Sequence, residues 1–240
     1  MTKTADRSAA VGAAVYSKGT LLIYDFFVVG LSNAFAWKCP SRVLLDFYNE
    51  HVSGNHLDVG VGTGYFLDKC RFPSPDPRIV LVDLNRNSLQ MASQRLSRYR
   101  PESCLANIME PLEIGGPQFD SIGLGYLLHC LPGAMVGKRV AFANLRPVLN
   151  AGGIVFGTTI LGNGVKQNLL ARTLLMAYNA RGIFSNTADN YSDLETILQE
   201  SFQDYSIKIE GCVALFWGKS SANYELAGVA PSKLVGLTTG

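Results

Sequence analysis

Short apolar, β-branched runs alternate along the chain with longer stretches whose apolar positions recur every three to four residues. That alternation predicts an α/β fold, a mostly parallel sheet with helices on both faces. Strands are expected at HLDVG (56–60), RIVLVD (78–83), SCLAN (103–107), FDSIGLG (119–125) and GGIVFGTTI (152–160). Helical patterns lie between them in YFLDKCR, NSLQMASQRLSRY and AMVGKRVAFANLRPVL, the last expected to stop at Asn150 and Gly152. Beyond residue 160 come a long helical run (164–182), a polar stretch and a second helix (193–202). Two closing strands, YSIKIEG (205–211) and CVALFWGK (212–219), meet at Gly211, which predicts an antiparallel hairpin. Upstream, helices are expected at roughly 8–18, 19–36 and 41–52, with Ser41 as N-cap of the third. No repeat interrupts the pattern, so a single domain is expected over 1–220. It divides into a helical cover (1–52), a ligand-binding half (53–160), an insert (161–192) and a helix with terminal hairpin (193–219). Residues 221–240 carry no periodicity and are expected to be loosely ordered.

The most informative stretch is HLDVGVGTGYFLDKC, where Gly60, Gly62 and Gly64 follow the first strand directly. Ligands of parallel sheets sit at the carboxyl ends of the strands, so this loop lies where a ligand would. Glycines there let the backbone approach the ligand and adopt positive φ. Alone, the loop also fits a tight turn that binds nothing. Asp83 changes the balance. It ends the second strand, 19 residues beyond Gly64, close to the spacing of an acid that accepts hydrogen bonds from a ribose diol. A dinucleotide fingerprint would place its third small residue at position 65, where Tyr65 stands. A nucleoside site is therefore expected, and a dehydrogenase is disfavoured.

Composition narrows the classes further. The 240 residues suffice for one well-buried domain, and only 17% are charged, against roughly 25% in an average globular domain. The hydrophobic fraction of 48% predicts an apolar pocket or a subunit interface, such as that of a homodimer. With 21 basic and 19 acidic residues and no run of either sign, neither nucleic acid nor an anionic membrane is an expected partner. The five scattered cysteines argue against a disulfide framework or a zinc site and for a reducing compartment. The polar start has no signal-peptide core, and LLIYDFFVVGL (21–31) is too short to span a bilayer and carries Asp25. A cytoplasmic protein without membrane insertion is expected.

LDVGVGTG followed by VLVDLN resembles the first two motifs of the class I S-adenosylmethionine (SAM)-dependent methyltransferases of small-molecule type. LANIMEPL, FDSIGLGYLLHCLP and GGIVFGTTI resemble later stretches of that family. LLIYDFFVVGLSNAFAWKCP is similar to the N-terminal helices of the quinone-biosynthesis members. The resemblance implies a Rossmann-like seven-stranded sheet with a reversed last strand, and SAM as cofactor. It also implies roles for particular residues. Asp58 and Gly60, Gly62 and Gly64 would face the methionine end of SAM, and Asp83 would hold the ribose. Leu84, Asn107 and Ile108 would flank the adenine, and Gly125 and Tyr126 would lie beside the sulfonium. Tyr16, Tyr24 and Trp37 are candidates to close over the sulfonium, which an aromatic face attracts. For each of these aromatics, and for Tyr126, plain core packing is the competing reading.

Of three histidines, His51 and His56 lie at or before the start of the first strand, the end away from the ligand. His129 follows the fourth strand and is the candidate general base for a hydroxyl or acidic-carbon acceptor. No metal site is expected, because LLHCLPGAMVG (127–137) contains no carboxylate. The insert residues Leu169, Leu170, Leu174, Met176, Tyr178 and Phe184 suggest a small, largely apolar acceptor, phenolic, quinone-like or polyketide-like, with O-methylation favoured. Two alternatives stand beside methyl transfer: cyclisation or rearrangement of a small metabolite on the same fold, and a scaffold with a vestigial site.

Overall fold

The computed structural model describes residues 32–221. Its elements are α1 (Ser41–His51), β1 (Asn55–Val59), α2 (Tyr65–Lys69), β2 (Arg78–Asp83), α3 (Arg86–Arg95), β3 (Glu102–Leu105), β4 (Phe119–Gly125), α4 (Arg139–Leu145), β5 (Leu149–Ile160), α5 (Leu169–Ala180), α6 (Tyr191–Ser201), β6 (Asp204–Glu210) and β7 (Val213–Lys219). The strands form one sheet in the order β3-β2-β1-β4-β5-β7-β6. Strands β1 to β5 pair in parallel, and β7 runs antiparallel to both β5 and β6. The expected α/β architecture with a reversed last strand is the observed one.

The period of two in β1 and β2 sends alternate side chains to opposite faces. Leu57, Val59, Val80 and Val82 pack with Phe142 and Leu145 of α4 and Leu194 and Leu198 of α6. Ile79 and Leu81 face the other way, toward Tyr48 of α1, Leu67 of α2 and Leu89 and Ala92 of α3. A third apolar cluster joins Trp37, Leu44, Ala171, Leu175 and Val213 near the end of β5. Strand order reverses between β1 and β4, which opens a crevice at the carboxyl ends of those strands.

Several local expectations are corrected. Pro40, not Ser41, occupies the N-cap of α1; Ser41 is its first residue, and its hydroxyl accepts a hydrogen bond from Asn33 Nδ2 at 3.1 Å. The helix read over 134–149 is broken into a 3-10 turn (Met135–Lys138), α4 and a second 3-10 turn (Arg146–Val148). Pro147 in that second turn has no N–H to continue the helical ladder. Asn150 and Gly152, read as stop signals, lie inside β5. The pairing with β4 bulges there, stepping from Phe119–Leu149 to Ser121–Ile154. Helix α5 starts only at Leu169, where the Asn168 side chain accepts from Ala171 N. The helices expected at 8–18 and over most of 19–36, with Tyr16 and Tyr24, lie outside the described residues, as does nearly all of the 221–240 tail.

Candidate active site

The chain passes from β1 into α2 through a loop with Gly60, Gly62 and Gly64 all at positive φ. Gly64, at φ +71°, is the N-cap of α2, and a Cβ there would come within 3.1 Å of the Ala92 Cα on α3. This glycine sets the close packing of the two helices. Gly62, at φ +52°, has open space where its Cβ would stand, so its backbone faces a cavity unshielded.

That cavity, about 180 Å³, lies at the carboxyl ends of β1, β2 and β4. It brings together Asp58, Gly60, Gly62, Gly64, Asp83, Leu84, Asn107, Ile108, Gly125 and Tyr126, ten of the residues singled out from the sequence. The Asp83 carboxylate accepts from Asn85 N at 2.8 Å (Oδ1) and from Gly62 N at 3.4 Å (Oδ2), which aims it along the loop. Burial pushes its carboxyl up to about 6, and the two backbone donors only partly offset that. Burial also raises Asp58, the other acid of the cavity. Leu84, 39% exposed, stands beside Asp83 as an uncovered apolar face. The Asn107 side chain turns back to accept from Met109 N at 3.0 Å, leaving Ile108 as the apolar wall there.

Tyr126 directly follows β4 at φ +55°, an unfavourable conformation for a non-glycine residue. Its N–H donates to Thr158 O at 2.9 Å, and its hydroxyl donates to Asn33 Oδ1 at 2.9 Å. The ring thereby forms a wall of the cavity and ties the segment before α1 to it.

Two expectations fail at this wall. Trp37 is 1% exposed and does not line the cavity. Its carbonyl accepts from Cys212 N at 2.8 Å in the β6–β7 turn, and its ring lies 6.3 Å from Phe184. His129 is likewise buried behind Tyr126, its ring centroid 4.4 Å from Phe184 and 5.7 Å from Tyr126. Its Nδ1 lies 3.3 Å from the donating Ile160 N, and burial beside Lys138 pushes the imidazole down to about 3. Trp37 and His129 instead border a space of about 10 Å³, no more than one water would fill. A base so placed cannot reach an acceptor in the cavity. The insert is corrected too: Leu169 and Met176 are 81% and 67% exposed, Tyr178 and Phe184 pack with Trp37, and Ile183 is the insert residue that reaches the cavity.

Sequence reasoning missed Tyr48, Cys130, Leu131, Pro132 and Ile183 in the lining. Tyr48 carried a signal in Gly125: a Cβ at that glycine would meet the Tyr48 hydroxyl at 2.1 Å, so the glycine makes room for the phenol. The 183–190 strap is held by a fully buried ion pair, Lys138 Nζ to Asp189 Oδ2 at 2.5 Å, with Lys138 also donating to Ser185 O at 2.8 Å. Ser185 N donates to His129 O at 2.8 Å, and Asn186 Nδ2 donates to Ile160 O at 2.8 Å.

Residues 57–155 match the family described as "Methyltransferase domain". Over 211 residues the chain is 41% identical to demethylluteothin O-methyltransferase of Streptomyces thioluteus, covering 88% of this chain and 92% of that one. It belongs to the class I SAM-dependent methyltransferases. Methyltransferase ctvB of Aspergillus terreus is 44% identical over 216 residues, 87% of this chain and 94% of that protein. The fold is shared with the DhpI–S-adenosylhomocysteine complex, at TM-score 0.63 and 12% identity over 89% of this chain and 97% of that one. The methyltransferase uses SAM to methylate a small molecule. The cavity fits this cofactor: a buried carboxylate suits a diol, an unshielded glycine backbone admits close approach, and Leu84 and Ile108 offer apolar faces to a base. Among the described residues no helix is long and apolar enough to cross a membrane.

Proposed function

We propose that the enzyme O-methylates a small, largely apolar metabolite whose hydroxyl is itself acidic, a phenol or enol of the phenolic, quinone-like or polyketide-like kind. The observation that carries this reading is the chemistry of the wall beyond Tyr126. Leu127, Leu131, Pro132 and Ile183 are apolar, and the titratable member, Cys130, has its thiol pushed up to about 12 by burial. With His129 withdrawn, no described residue at that end is suited to take a proton near neutral pH. An acceptor that ionises on its own meets this condition; an aliphatic alcohol does not. The relative from Streptomyces thioluteus, an O-methyltransferase by name, supports the same reading.

The cofactor supplies an electrophilic methyl group. Asp83 would accept the ribose hydroxyls, Asp58 and the glycine loop would receive the amino-acid end, and Leu84 with Ile108 would sandwich the adenine. Tyr126 and Gly125 would border the sulfonium. Catalysis then rests on orientation, which can be worth ~7–11 kcal/mol. The acceptor's exclusion from water by Leu131, Pro132 and Ile183 adds to it. A cytoplasmic location and a homodimer are consistent with this reading and are part of the proposal.

The test is incubation with methyl-labelled SAM and a series of phenols and enols of graded acidity, followed by mass spectrometry. Labelled products one methylene heavier, formed faster from the more acidic hydroxyls, are expected. Products of unchanged mass with SAM unconsumed would favour cyclisation and overturn the reading.

A further inference from the structure

Helix α1 contributes one polar group to the cavity. Leu44 and Tyr48, one turn apart, are its buried residues, and Tyr48 is part of the cavity lining. Its ring stacks on Phe66 of α2 at 5.5 Å and meets Phe156 of β5 edge-on at 5.1 Å. Packing against two rings fixes where the hydroxyl stands. Two glycines of β4 make the space for it. Gly123 and Gly125 are two residues apart and so share one face of the strand. A Cβ at Gly123 would stand 2.5 Å from Asp58 Oδ1, and one at Gly125 would collide with the Tyr48 hydroxyl. The strand gives up two adjacent side chains on that face, one for the carboxylate and one for the phenol.

The Tyr48 hydroxyl donates to Asp58 Oδ1 at 3.5 Å, the far limit of a hydrogen bond. Burial holds its ionisation well above the ordinary tyrosine range, so the hydrogen stays on the oxygen. His56 Nε2 stands 3.5 Å from the same Oδ1. Among the described residues both side-chain neighbours of the Asp58 carboxylate thus lie on Oδ1, which leaves Oδ2 for a ligand. Stability alone does not account for this phenol. Burying a hydroxyl on so long a bond costs free energy that phenylalanine, with the same ring contacts, would avoid.

We propose that Tyr48 is a positioning residue for the cofactor: its hydroxyl, admitted by Gly125, anchors Asp58 through Oδ1 so that Oδ2 meets the ammonium of SAM. The proposal rests on the reading above that Asp58 receives the amino-acid end of SAM. A carboxylate free to turn would offer either oxygen in many directions, and ordering it on binding would weaken the contact. The tyrosine removes that freedom before the cofactor arrives. Gly125 then has a second duty beside the one at the sulfonium, since any side chain there would push the anchor away. The ribose lies at Asp83, outside this arrangement, so a ligand that keeps the ribose and lacks the amino-acid end is indifferent to Tyr48.

The experiment is calorimetric titration of the full chain with S-adenosylhomocysteine and, in parallel, with 5′-methylthioadenosine, which has the ribose but not the amino-acid end. The readout is the ratio of the two affinities, which does not depend on how much of a variant is folded. Tyr48→Phe should bind S-adenosylhomocysteine about tenfold more weakly, the scale of one hydrogen bond to a charged acceptor, and methylthioadenosine as wild type does. Gly125→Ala should lower the ratio in the same way, and should lower it little further when combined with Tyr48→Phe, because the hydroxyl it displaces is already gone. The alanine variant carries the test by itself if Tyr48→Phe does not fold. A ratio unchanged in Tyr48→Phe, or losses that multiply in the double variant, overturn the proposal. Asp58→Asn tests the reading beneath it: a ratio that falls there but not in Tyr48→Phe leaves Asp58 in place without its anchor. A ratio that Asp58→Asn does not change overturns the Asp58 assignment itself.

Discussion

Asp83→Asn should make the protein more stable and worse at binding its cofactor. The Asp83 carboxyl stands at about 6 in the fold, raised from 3.8 chiefly by burial. At ~1.4 kcal/mol per tenfold, the charged form carries a penalty of about 3 kcal/mol in the ligand-free protein. The sign follows from linkage: a carboxyl raised on folding is penalised fully above about pH 6, and the penalty vanishes below its unfolded value of 3.8. Asparagine removes the charge but keeps one acceptor for Asn85 N; losing the second, longer bond from Gly62 N returns about 1 kcal/mol. The net gain is about 1–2 kcal/mol at pH 8, or about 3–6 °C in Tm for a domain of this size. Cofactor affinity should move the other way, by the ~1.5–3 kcal/mol of a charge-assisted pair, about 10- to 150-fold in Kd. Thermal melts of the ligand-free protein at pH 8 and pH 4 provide the assay, with calorimetry for S-adenosylhomocysteine at pH 8. A variant no more stable than wild type at pH 8, or a gain just as large at pH 4, would refute the reasoning.

Other perturbations separate structure from chemistry. His129→Ala, measured by pH–rate profile, should leave the acidic limb between pH 6 and 9 where wild type has it and keep turnover within a few fold at a temperature where the variant is folded, because the imidazole at about 3 is already neutral there. Lys138→Met should cost ~3–5 kcal/mol in denaturant unfolding, since it strands Asp189 as a buried charge, and Lys138→Met with Asp189→Leu should recover most of that loss. Gly62→Val forces a β-branched residue to φ +52° and should lower stability by ~1–3 kcal/mol while abolishing cofactor binding, both readable from melts with and without ligand. Turnover should persist in EDTA, since among the described residues no three His, Cys, Asp or Glu side chains converge as a metal site would need.

The strands were legible because their signal is local. RIVLVD and FDSIGLG fall on β2 and β4 without a shift, and the glycines with Asp83 meet at one cavity because topology alone puts strand ends together. What the sequence withheld is three-dimensional. Nothing local in Asn150 or Gly152 distinguishes a helix stop from the bulge that starts β5. His129 follows β4 as expected, but its ring lies in the layer behind the cavity, against Phe184 and Tyr126, and nothing in the local sequence specifies that choice. His56 stands at the end of β1 away from the cavity, yet a strand's period of two sets it on the same face as Asp58, with Nε2 3.5 Å from the carboxylate. Ile183 comes from a loop whose course depends on the Lys138–Asp189 pair, and residues 51 positions apart announce no such partnership.

That ion pair also shapes how the cavity wall at Ile183 can come loose. A salt bridge sealed from water has no comfortable half-open position: drawn slightly apart, each charge loses its partner before it gains solvent. The same short strap is fastened to the β4 turn through Ser185 and to the end of β5 through Asn186, so releasing one fastening strains the others. The strap should therefore detach as a cooperative unit rather than fray. In hydrogen exchange the amide of Ser185, bonded to His129 O outside the strap, and that of Asp189, bonded to Asn186 O within it, should exchange with one shared opening free energy. Should their rates instead vary independently, the wall is a hinged flap, and acceptors of quite different breadth could pass beneath it.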